Sequence, residues 1–385
     1  MGRIRVHHGR NFGERASSRV ASTLGGVKGL ILSGGSGRRL RPLTHTRAKQ
    51  LVPIANKPIL HYVVEDLVTA GVVDIGIVVG DTGDEVRASV GDGSRWGASV
   101  TYVDQEAPLG LAHAVLVAGK FLGDDPFVMY LGDNMFEDSL DRVVDGFVES
   151  GEAARLLLAR VADPSAFGVA ELDDAGNIVG LIEKPADPPS DLALVGVYLF
   201  GPAIHEAVRS IQPSARGELE ITDAIQCLLA DGATVDHRVL DGWWIDTGKK
   251  DPLLACNRLV LARLAGTGVV VDDEAEVVDS TLIGPVVVGA GARIVDSTVG
   301  PSVAVGEGCR IEASTVVDSV LMDGSAVLGC RRVVASVLGR EAKVQRTRSA
   351  DGPADDAAVD LSVLLGDHSV VDLAGGVDDA RGWDG

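Results

Sequence analysis

The sequence predicts an α/β domain with a mixed, mostly parallel sheet, followed by a β-solenoid. Apolar runs alternate with amphipathic segments from Val27 to about Ala265, and the chain repeats itself beyond that point. Alternation of strands and helices is typical of a largely parallel sheet with helices on both faces. The length of 385 residues also exceeds that of a typical single domain, so we expect two domains.

The first domain contains four apolar runs that we interpret as strands, with helices between them. The predicted strands are Val27–Leu32, Ile75–Val79, Val100–Val103 and Phe127–Leu131. The predicted helices are Pro58–Ala70, Thr82–Val90, Leu111–Phe121 and Leu140–Ser150. Because ligands of such sheets bind beyond the carboxyl ends of the strands, the residues that follow each run are candidates for a functional site.

The second domain is indicated by a repeat. Related phrases begin at Val277, Ile294, Val316 and Val333, and the members of the first pair and of the last pair are 17 residues apart. Aliphatic residues recur every five or six positions, with glycines between them. This pattern is typical of a triangular solenoid with one inward aliphatic residue on each face. It resembles the hexapeptide-repeat left-handed β-helix, and the handedness comes from that resemblance alone.

Charge is unevenly distributed along the chain. Residues 1–26 carry five arginines and one glutamate, whereas residues 351–385 carry nine aspartates and one arginine. We expect residues 1–26 to be a disordered extension, 27–265 the first domain, 266–345 the solenoid, and 346–385 a largely disordered acidic tail.

Composition excludes several classes of function. The formal charge of −20 argues against a nucleic-acid partner. No apolar run approaches the roughly 18–20 residues that a membrane span requires. The chain has four widely spaced cysteines and no C-x-x-C pair, and its N-terminal stretch lacks the apolar segment of a secretory signal. We therefore expect reduced thiols and a cytoplasmic protein.

A glycine-rich turn directly follows the first predicted strand. Gly34, Gly35 and Gly37 would let backbone N–H groups approach phosphate oxygens, and three arginines after them supply positive charge: Arg38, Arg39 and Arg41. No Gly-Lys-[Ser/Thr] follows, and the third glycine of the dinucleotide fingerprint is absent. The turn therefore predicts an anion site that is neither a Walker A loop nor a dinucleotide-binding loop.

A series of motifs follows this turn along the chain: Gly35–Thr44, Lys49–Pro58, Gln105–Ala112, Leu131–Asn134, Phe167–Val169, Glu183–Pro185, Pro213–Asp223 and Trp244–Gly248. In this order they resemble the motifs of the sugar-1-phosphate nucleotidyltransferases, especially of the thymidylyltransferase form that carries a C-terminal solenoid. The resemblance implies a Rossmann-like fold and attack of glucose 1-phosphate on the α-phosphorus of dTTP, with pyrophosphate released. The partners are then two small molecules, and we expect a homo-oligomer whose size the sequence does not specify.

The resemblance also assigns roles to individual residues. The catalytic candidates are Arg39, Lys49 and Lys184. The nucleotide-binding candidates are Leu32, Gly34, Gly35, Gly37, Gln50, Gln105, Pro108, Gly110 and Asp133. The candidates for the sugar phosphate are Gly168, Glu183, Lys184 and Gly196. Asp133 and Asp246 each follow a predicted strand, and as a pair they would hold Mg²⁺, which takes few protein ligands.

Three alternatives compete with this interpretation. The substrates could instead be UTP or GTP with mannose or N-acetylglucosamine 1-phosphate, because base choice rests on a few hydrogen bonds. A non-catalytic regulatory homologue would have lost charged site residues, but Arg39, Lys49, Asp133, Lys184 and Asp246 are all present. An acetyltransferase in the solenoid would need a general base, usually histidine, and none occurs from residue 269 to 344. Arg38 stands where the family usually has threonine, which leaves the loop geometry open.

Overall fold

The computed structural model describes residues 26–35, 37–346 and 360–373. The strands of the first domain are β1 (Lys28–Ser33), β2 (Pro53–Ile54), β3 (Lys57–Pro58), β4 (Asp74–Val79), β5 (Ser99–Asp104), β6 (Phe127–Leu131), β7 (Asn134–Phe136), β8 (Ala154–Arg160), β9 (Gly168–Leu172), β10 (Ile178–Glu183), β11 (Leu192–Phe200), β12 (Val235–Val239) and β13 (Trp244–Asp246). The helices are α1 (Ile59–Thr69), α2 (Gly83–Val90), α3 (Leu111–Val117), α4 (Gly119–Leu122), α5 (Asp141–Val144), α6 (Phe147–Ser150), α7 (Ile204–Ser210), α8 (Ile221–Ala230) and α9 (Lys250–Ala265). In the described part of the chain, no helix combines the length and apolar character that a bilayer crossing requires.

The large sheet of the first domain is mixed, as the sequence predicts. Its strands lie in the order β10-β9-β11-β6-β1-β4-β5, and β8 pairs with β11 and β12. Strands β6, β1, β4 and β5 are parallel, whereas β11 joins β6 in the antiparallel direction. The four predicted strands agree with β1, β4, β5 and β6 to within one residue at each end.

Two segments that the sequence predicts as single helices are each divided into two short helices, so these two predictions are wrong. The segment predicted as one helix over Leu140–Ser150 forms α5 and α6, separated by Asp145 and Gly146. Gly146 has a φ of 76°, a left-handed conformation that interrupts helical hydrogen bonding. The segment Leu111–Phe121 likewise divides into α3 and α4 at Ala118.

The sheet is buried on both faces, which explains its uninterrupted apolar strands. Adjacent residues Leu30 and Ile31 of β1 point to opposite faces, yet neither is exposed to solvent. Ile31 packs with Val63 and Leu67 of α1, and Leu30 belongs to a separate cluster that includes Ile225 of α8. The helices thus shield both faces and leave the strand ends available for ligands.

The repeated segment forms three parallel sheets, the arrangement predicted for a β-helix. The first face contains β14 (Val269–Val271), β17 (Val286–Val288), β20 (Val303–Val305), β23 (Ser319–Leu321), β26 (Val337–Leu338) and β28 (Leu364–Leu365). The second contains β15 (Glu276–Val278), β18 (Arg293–Val295), β21 (Arg310–Glu312), β24 (Ala326–Leu328), β27 (Lys343–Gln345) and β29 (Val370–Asp372). The third contains β16 (Thr281–Leu282), β19 (Thr298–Val299), β22 (Thr315–Val317) and β25 (Val333–Val334). The aliphatic residues predicted to point inward are at most 2% exposed: Val288, Ile294, Val299, Val305 and Ile311.

The repeated Asp-Ser pair of the sequence phrase turns a corner of the solenoid and ties its coils together. Asp279 and Asp296 have φ values of 46° and 47°, a left-handed conformation that aspartate tolerates better than most residues. The serine that follows each of them bonds to the next coil. Ser280 Oγ accepts from the Ser297 backbone N–H at 3.0 Å, and Ser297 Oγ accepts from that of Ser314 at 3.1 Å. The first two copies of the phrase thus form the corner between the second and third faces, whereas the last two, at Asp318 and Ala335, form the corner between the third and first faces.

The solenoid extends beyond its predicted end. The predicted boundary at residue 345, with 346–385 as a tail, is wrong because residues 360–373 form a further coil. In this terminal coil, β28 pairs with β26 and β29 pairs with β27, both parallel. Leu361, Val363 and Leu365 pack against the interior apolar cluster. The expectations for residues 1–25, 347–359 and 374–385 lie outside the described residues.

One apolar cluster joins the two domains. The loop after β1 and helix α9 pack against outward-facing residues of the first solenoid face. The cluster includes Leu40, Leu43, Ile54, Leu253, Val260, Ala304, Val320, Met322 and Val337. Polar contacts flank it, such as the one from Asn56 Nδ2 to the Val305 carbonyl at 2.7 Å and the Arg258–Asp318 ion pair at 2.6 Å. The solenoid therefore supports the chain segment that follows the glycine-rich turn.

Asp66, in the helix α1 that packs on the sheet, has a raised pKa. Tyr130 Oη donates a hydrogen bond to Asp66 Oδ2 of α1 at 3.1 Å. Burial raises the pKa of Asp66 from its ordinary value of 3.8 to about 7, although the hydrogen bond from Tyr130 opposes that shift. The folded protein therefore retains a proton that the unfolded chain loses between about pH 4 and pH 7. As a result, this group reduces stability progressively as the pH rises through that interval.

Asp66→Asn is expected to raise the melting temperature at pH 8 by roughly 5 °C. The neutral amide avoids burial of a charge, and the gain should shrink as the pH is lowered toward about 5, where the native carboxyl is protonated. Thermal unfolding monitored by circular dichroism at several pH values measures the effect. Asp84→Asn, at a fully exposed aspartate of α2, is the matched control. An equal gain at every pH would contradict the shifted acidity of Asp66.

Candidate active site

The candidate site lies at the carboxyl ends of β1, β4 and β6, where the sequence predicts a ligand crevice. Gly132, just after β6, donates its N–H to the Leu32 carbonyl at 3.0 Å. Gly34, just after β1, lies against Gly80, which follows β4. The parallel order of the three strands thus brings together motifs that are far apart in the sequence.

A lysine–aspartate ion pair lies at the centre of this edge. Lys49 Nζ donates a hydrogen bond to Asp133 Oδ2, and Asn134 Nδ2 donates to the other carboxylate oxygen at 3.2 Å. Burial by itself would raise the pKa of Asp133, but the adjacent Lys49 ammonium and the more distant Arg39 outweigh it, so that pKa is lowered. Asp133 is therefore an ionised carboxylate at neutral pH.

A second ion pair is held beside the first by the short β7–β13 ribbon. This antiparallel pairing places Asp246 opposite Asn134, and Thr247 Oγ1 donates to the Asp133 carbonyl at 2.7 Å. Asp246 Oδ2 accepts from Arg39 Nη2 at 3.2 Å, while its Oδ1 accepts from the Gly248 N–H at 2.8 Å. The structure thus brings two carboxylates and two cations together at one edge: Arg39, Lys49, Asp133 and Asp246.

Gly248 leaves the space that Arg39 occupies. A Cβ atom at this position would lie 2.6 Å from Arg39 Nη2 and 2.8 Å from Asp246 Oδ1. In the nucleotidyl transfer that the sequence resemblance implies, we expect Gly248→Ala to lower kcat by roughly ten- to a hundredfold by displacing the guanidinium, with little change in melting temperature. Steady-state kinetics with thermal unfolding measures both. Gly119→Ala is the control, because a Cβ there meets no atom within 4 Å; equal kinetics for both variants would exclude this role for Gly248.

The residues assigned to the base flank the first strand end. Gln105 lies over Gly34, and its Nε2 is 3.0 Å from His113 Nδ1. Gln50 packs over Gly132, and within the described chain its buried Oε1 has no hydrogen-bond partner. An acceptor in this position is available to a ligand.

The remaining base-side candidates differ in their surroundings. Leu32 is buried at the end of β1, whereas Pro108 is exposed in the loop before α3. Gly110 has a φ of 106°, and a Cβ there would clash with the Leu219 carbonyl. This glycine therefore allows the loop before α3 to pack closely against the loop before α8. Any contact between Gly110 and the base stays a prediction.

The candidates for the sugar phosphate form a second polar group. Register pairs Glu183, the last residue of β10, with Gly168, the first of β9. Glu183 Oε1 forms an ion pair with Lys184 Nζ at 3.0 Å and accepts a hydrogen bond from Arg216 Nη1 at 3.2 Å. Gly196 lies in β11 next to Leu131 and Asn134.

Aromatic side chains connect the two polar groups. Asn134 Oδ1 accepts from Trp244 Nε1 at 2.7 Å. The Trp244 ring meets Phe167 edge to face, with centroids 4.9 Å apart. The Phe167 carbonyl in turn accepts from the Lys184 N–H at 2.9 Å. The predicted triphosphate and sugar-phosphate residues are therefore joined by a short series of direct contacts.

Three residues of the site were not singled out from the sequence: Asn134, Arg216 and Trp244. Each lies inside a motif, but the sequence alone did not show which way its side chain is directed. Arg216 also bonds to Glu220 Oε1 at 3.2 Å, which makes it the centre of a small acidic group. The only feature of the sequence that pointed to Arg216 was the high density of charged residues between Pro213 and Asp223. Arg38, the departure from the family pattern, is exposed.

The site offers few ligands for a metal ion. Among the residues that the structure describes, no three or more His, Cys, Asp or Glu side chains form a metal-binding group. The neighbouring carboxylates of Asp133 and Asp246 supply hard oxygen atoms, and both are ionic partners of a cation. Two carboxylates fit Mg²⁺, which keeps several waters and takes its other ligands from phosphate oxygens.

Comparison with known proteins shows the family to which the chain belongs. The family model described as nucleotidyl transferase matches residues 28–263, and the chain belongs to this family. A glucose-1-phosphate thymidylyltransferase of Streptomyces antibioticus is 51% identical, over 90% of this chain and 99% of the relative. Its counterpart from Streptomyces griseus is 50% identical, over 89% of this chain and 98% of the relative.

The likeness to the two Streptomyces enzymes extends beyond the first domain, because the coverage requires most of the solenoid as well. Among solved structures, UDP-glucose pyrophosphorylase complexed with UDP-glucose matches with a TM-score of 0.56 at 25% identity. That match covers 62% of this chain and 99% of the other. The resemblance inferred from the sequence motifs is confirmed.

Proposed function

We propose that this protein is a glucose-1-phosphate thymidylyltransferase. In this reaction a phosphate oxygen of glucose 1-phosphate attacks the α-phosphorus of dTTP, the bond to the β-phosphate oxygen breaks, and pyrophosphate leaves with dTDP-glucose as the other product. The observation that carries the proposal is the gathering of the Lys49–Asp133 and Arg39–Asp246 pairs at one sheet edge. The names of the two Streptomyces relatives support the choice of substrates.

The chemical difficulty is electrostatic, since two anions must meet and charge develops on the leaving pyrophosphate. Lys49 and Arg39 are positioned to stabilise that negative charge, and their aspartate partners keep them in place before the triphosphate binds. Lys184 holds the phosphate of the sugar, with Glu183 and Arg216 fixing its surroundings. Asp133 and Asp246 would hold Mg²⁺, which when bound supplies further neutralisation of the phosphates.

Base selection is assigned to the two glutamines. Their amides can both donate and accept, which matches the N–H and carbonyl edge of a thymine ring. The unpartnered Oε1 of Gln50 supports this role, because a buried acceptor is costly unless a ligand satisfies it. Uracil presents the same edge, so these contacts alone favour dTTP over GTP more strongly than over UTP.

The test is pyrophosphate release with dTTP, UTP and GTP, each paired with glucose, mannose and N-acetylglucosamine 1-phosphates. We expect the highest kcat/KM for dTTP with glucose 1-phosphate, and loss of turnover on chelation of divalent ions. No turnover with any pair would overturn the enzymatic proposal and favour a regulatory homologue. A preference for GTP with mannose 1-phosphate, or for UTP, would overturn the choice of substrates.

We further propose that the enzyme works in the cytoplasm as a homo-oligomer. The four cysteines are free thiols, which is typical of a reducing compartment. Exposed aliphatic residues at the junction of the domains are available for subunit contacts: Leu259, Leu264 and Ile283. Light scattering on the full chain measures the mass in solution. A monomer at micromolar concentration would contradict the oligomer.

A further inference from the structure

We infer that the terminal coil, residues 360–373, positions the catalytic cations through Asp367. The segment that it acts on is the cation loop, residues 37–49, which carries both Arg39 and Lys49. Asp367 is on this view a positioning residue, because it contacts the loop and not the substrates. The expected effect on catalysis rests on the proposed function, whereas the expected effect on the conformation of the loop does not.

The contact between the coil and the loop is direct, and its ion pair is buried. Asp367 Oδ2 accepts from Arg47 Nη2 at 3.3 Å and from Thr46 Oγ1 at 3.2 Å. The side chains of Arg47 and Asp367 are only 4% and 8% exposed. Gly366 packs against the Pro42 carbonyl. A salt bridge so shielded from solvent is much less screened than one on the surface.

Asp367 is itself fixed by the solenoid. Its Oδ1 accepts from the Arg340 backbone N–H at 2.8 Å, so one carboxylate links the preceding coil to the cation loop. Strands β28 and β29 anchor either side of it on the solenoid. The position of Asp367 is therefore set by regular strand pairing and not by a flexible side chain reaching from a distance.

The cation loop has little regular structure of its own, so its shape depends on such contacts. It contains only two short 3-10 turns, Arg38–Leu40 and Leu43–His45, and it ends at Lys49, where a third begins. Near its start, Thr44 Oγ1 donates to the Gly37 carbonyl at 2.7 Å. Near its end, Glu85 Oε2 accepts from the Ala48 N–H at 2.9 Å. Asp367 holds the part between these two contacts, two residues before Lys49.

Charge explains why the contact matters. Burial lowers the pKa of Arg47, and the neighbouring Asp367 carboxylate opposes this shift by stabilising the guanidinium. A buried ion that loses its partner is strongly destabilised. Without the carboxylate, Arg47 is expected to turn toward water and to move the backbone that leads into Lys49.

The test compares Asp367→Asn with wild type in the full chain by two readouts. Hydrogen–deuterium exchange of peptides that cover residues 37–49 should become at least about tenfold faster in the variant, because the loop opens more readily. In the pyrophosphate assay kcat should fall about tenfold and KM for dTTP should rise, while KM for glucose 1-phosphate stays unchanged. Asp367→Glu should recover part of the loss.

Asp360→Asn is the matched control. Asp360 lies in the same coil and pairs with Arg332 at 3.2 Å, but both side chains are about half exposed. This variant should match wild type in both readouts. A loss equal to that of Asp367→Asn would show a general effect of the coil and would overturn the assignment to Asp367.

Arg47→Met removes the same ion pair by a change in the loop. It keeps the test decisive if Asp367→Asn does not fold. It should reproduce the effects of Asp367→Asn, and the double variant should show no further loss, because both changes remove one interaction. Unchanged exchange and kinetics in folded single variants would overturn the inference. An inactive wild type would instead overturn the proposed function, while the exchange comparison would still decide whether the coil holds the loop.

Discussion

Replacing Asp133 with asparagine is expected to lower turnover by at least about a thousandfold, because it removes a charge from the electrostatic centre of the site. The side chain keeps its shape, so the contact with Asn134 and the β6–β7 turn should persist. Lys49, however, would lose its carboxylate partner, and one of the two ligands proposed for Mg²⁺ would be weakened. The measurements are pyrophosphate release and thermal unfolding of the same preparation.

Asp125→Asn is the control for this change. Asp125 pairs with Lys28 Nζ at 2.9 Å, at the opposite end of the strand that leads to the site. This variant removes a lysine–aspartate pair of the same kind without touching the crevice, and its turnover should equal that of wild type. If Asp133→Asn also retained nearly full turnover, the assignment of Asp133 to the metal and to Lys49 would be wrong.

The second large effect is expected for Arg39→Gln, with a fall in kcat of roughly a hundred- to a thousandfold. Arg39 is positioned to meet charge that develops on the leaving pyrophosphate, and a neutral amide cannot stabilise that charge. Its side chain is 52% exposed, so the folded state should lose little stability. Kinetics at saturating and at limiting dTTP separates the loss in kcat from a change in KM.

Arg41→Gln serves as the comparison, since Arg41 is an exposed arginine two residues along the same loop. Its variant should stay within about twofold of wild type, allowing for weaker long-range attraction of the triphosphate. A rise in KM for dTTP without a fall in kcat in Arg39→Gln would indicate ground-state binding instead. That result would contradict the role proposed for Arg39 in the reaction step.

Much of the fold could be predicted from the sequence because its signals are local. Buried strands such as Phe127–Leu131 are continuous apolar runs, and the 17-residue spacing of the solenoid phrases follows from strand pairing between successive coils. The terminal coil was missed because residues 347–359 interrupt that spacing. Its aliphatic residues, Leu361, Val363 and Leu365, also lie in a region rich in aspartate, and the overall acidic composition of that region predicted a tail.

The candidate site residues could be selected from the sequence, but the ion pairs that they form could not. Asp133 and Asp246 each lie at or just after the end of a strand, and Lys49 lies in the loop that follows β1. Which carboxylate meets which cation depends on side-chain directions across 84 residues for Lys49–Asp133 and 207 for Arg39–Asp246. The same limit hid Asn134 and Trp244, whose roles arise from the β7–β13 ribbon.

The apolar cluster shared by the two domains has a consequence for how the sequence can change over time. Leu40 and Leu43 lie just after the arginines of the site and, at the same time, pack against Val320 and Met322 of the solenoid. A substitution there must satisfy two packing environments at once, and compensation in one domain can only follow a change in the other. We therefore expect substitutions at these positions to be correlated between the solenoid and the loop that carries the arginines.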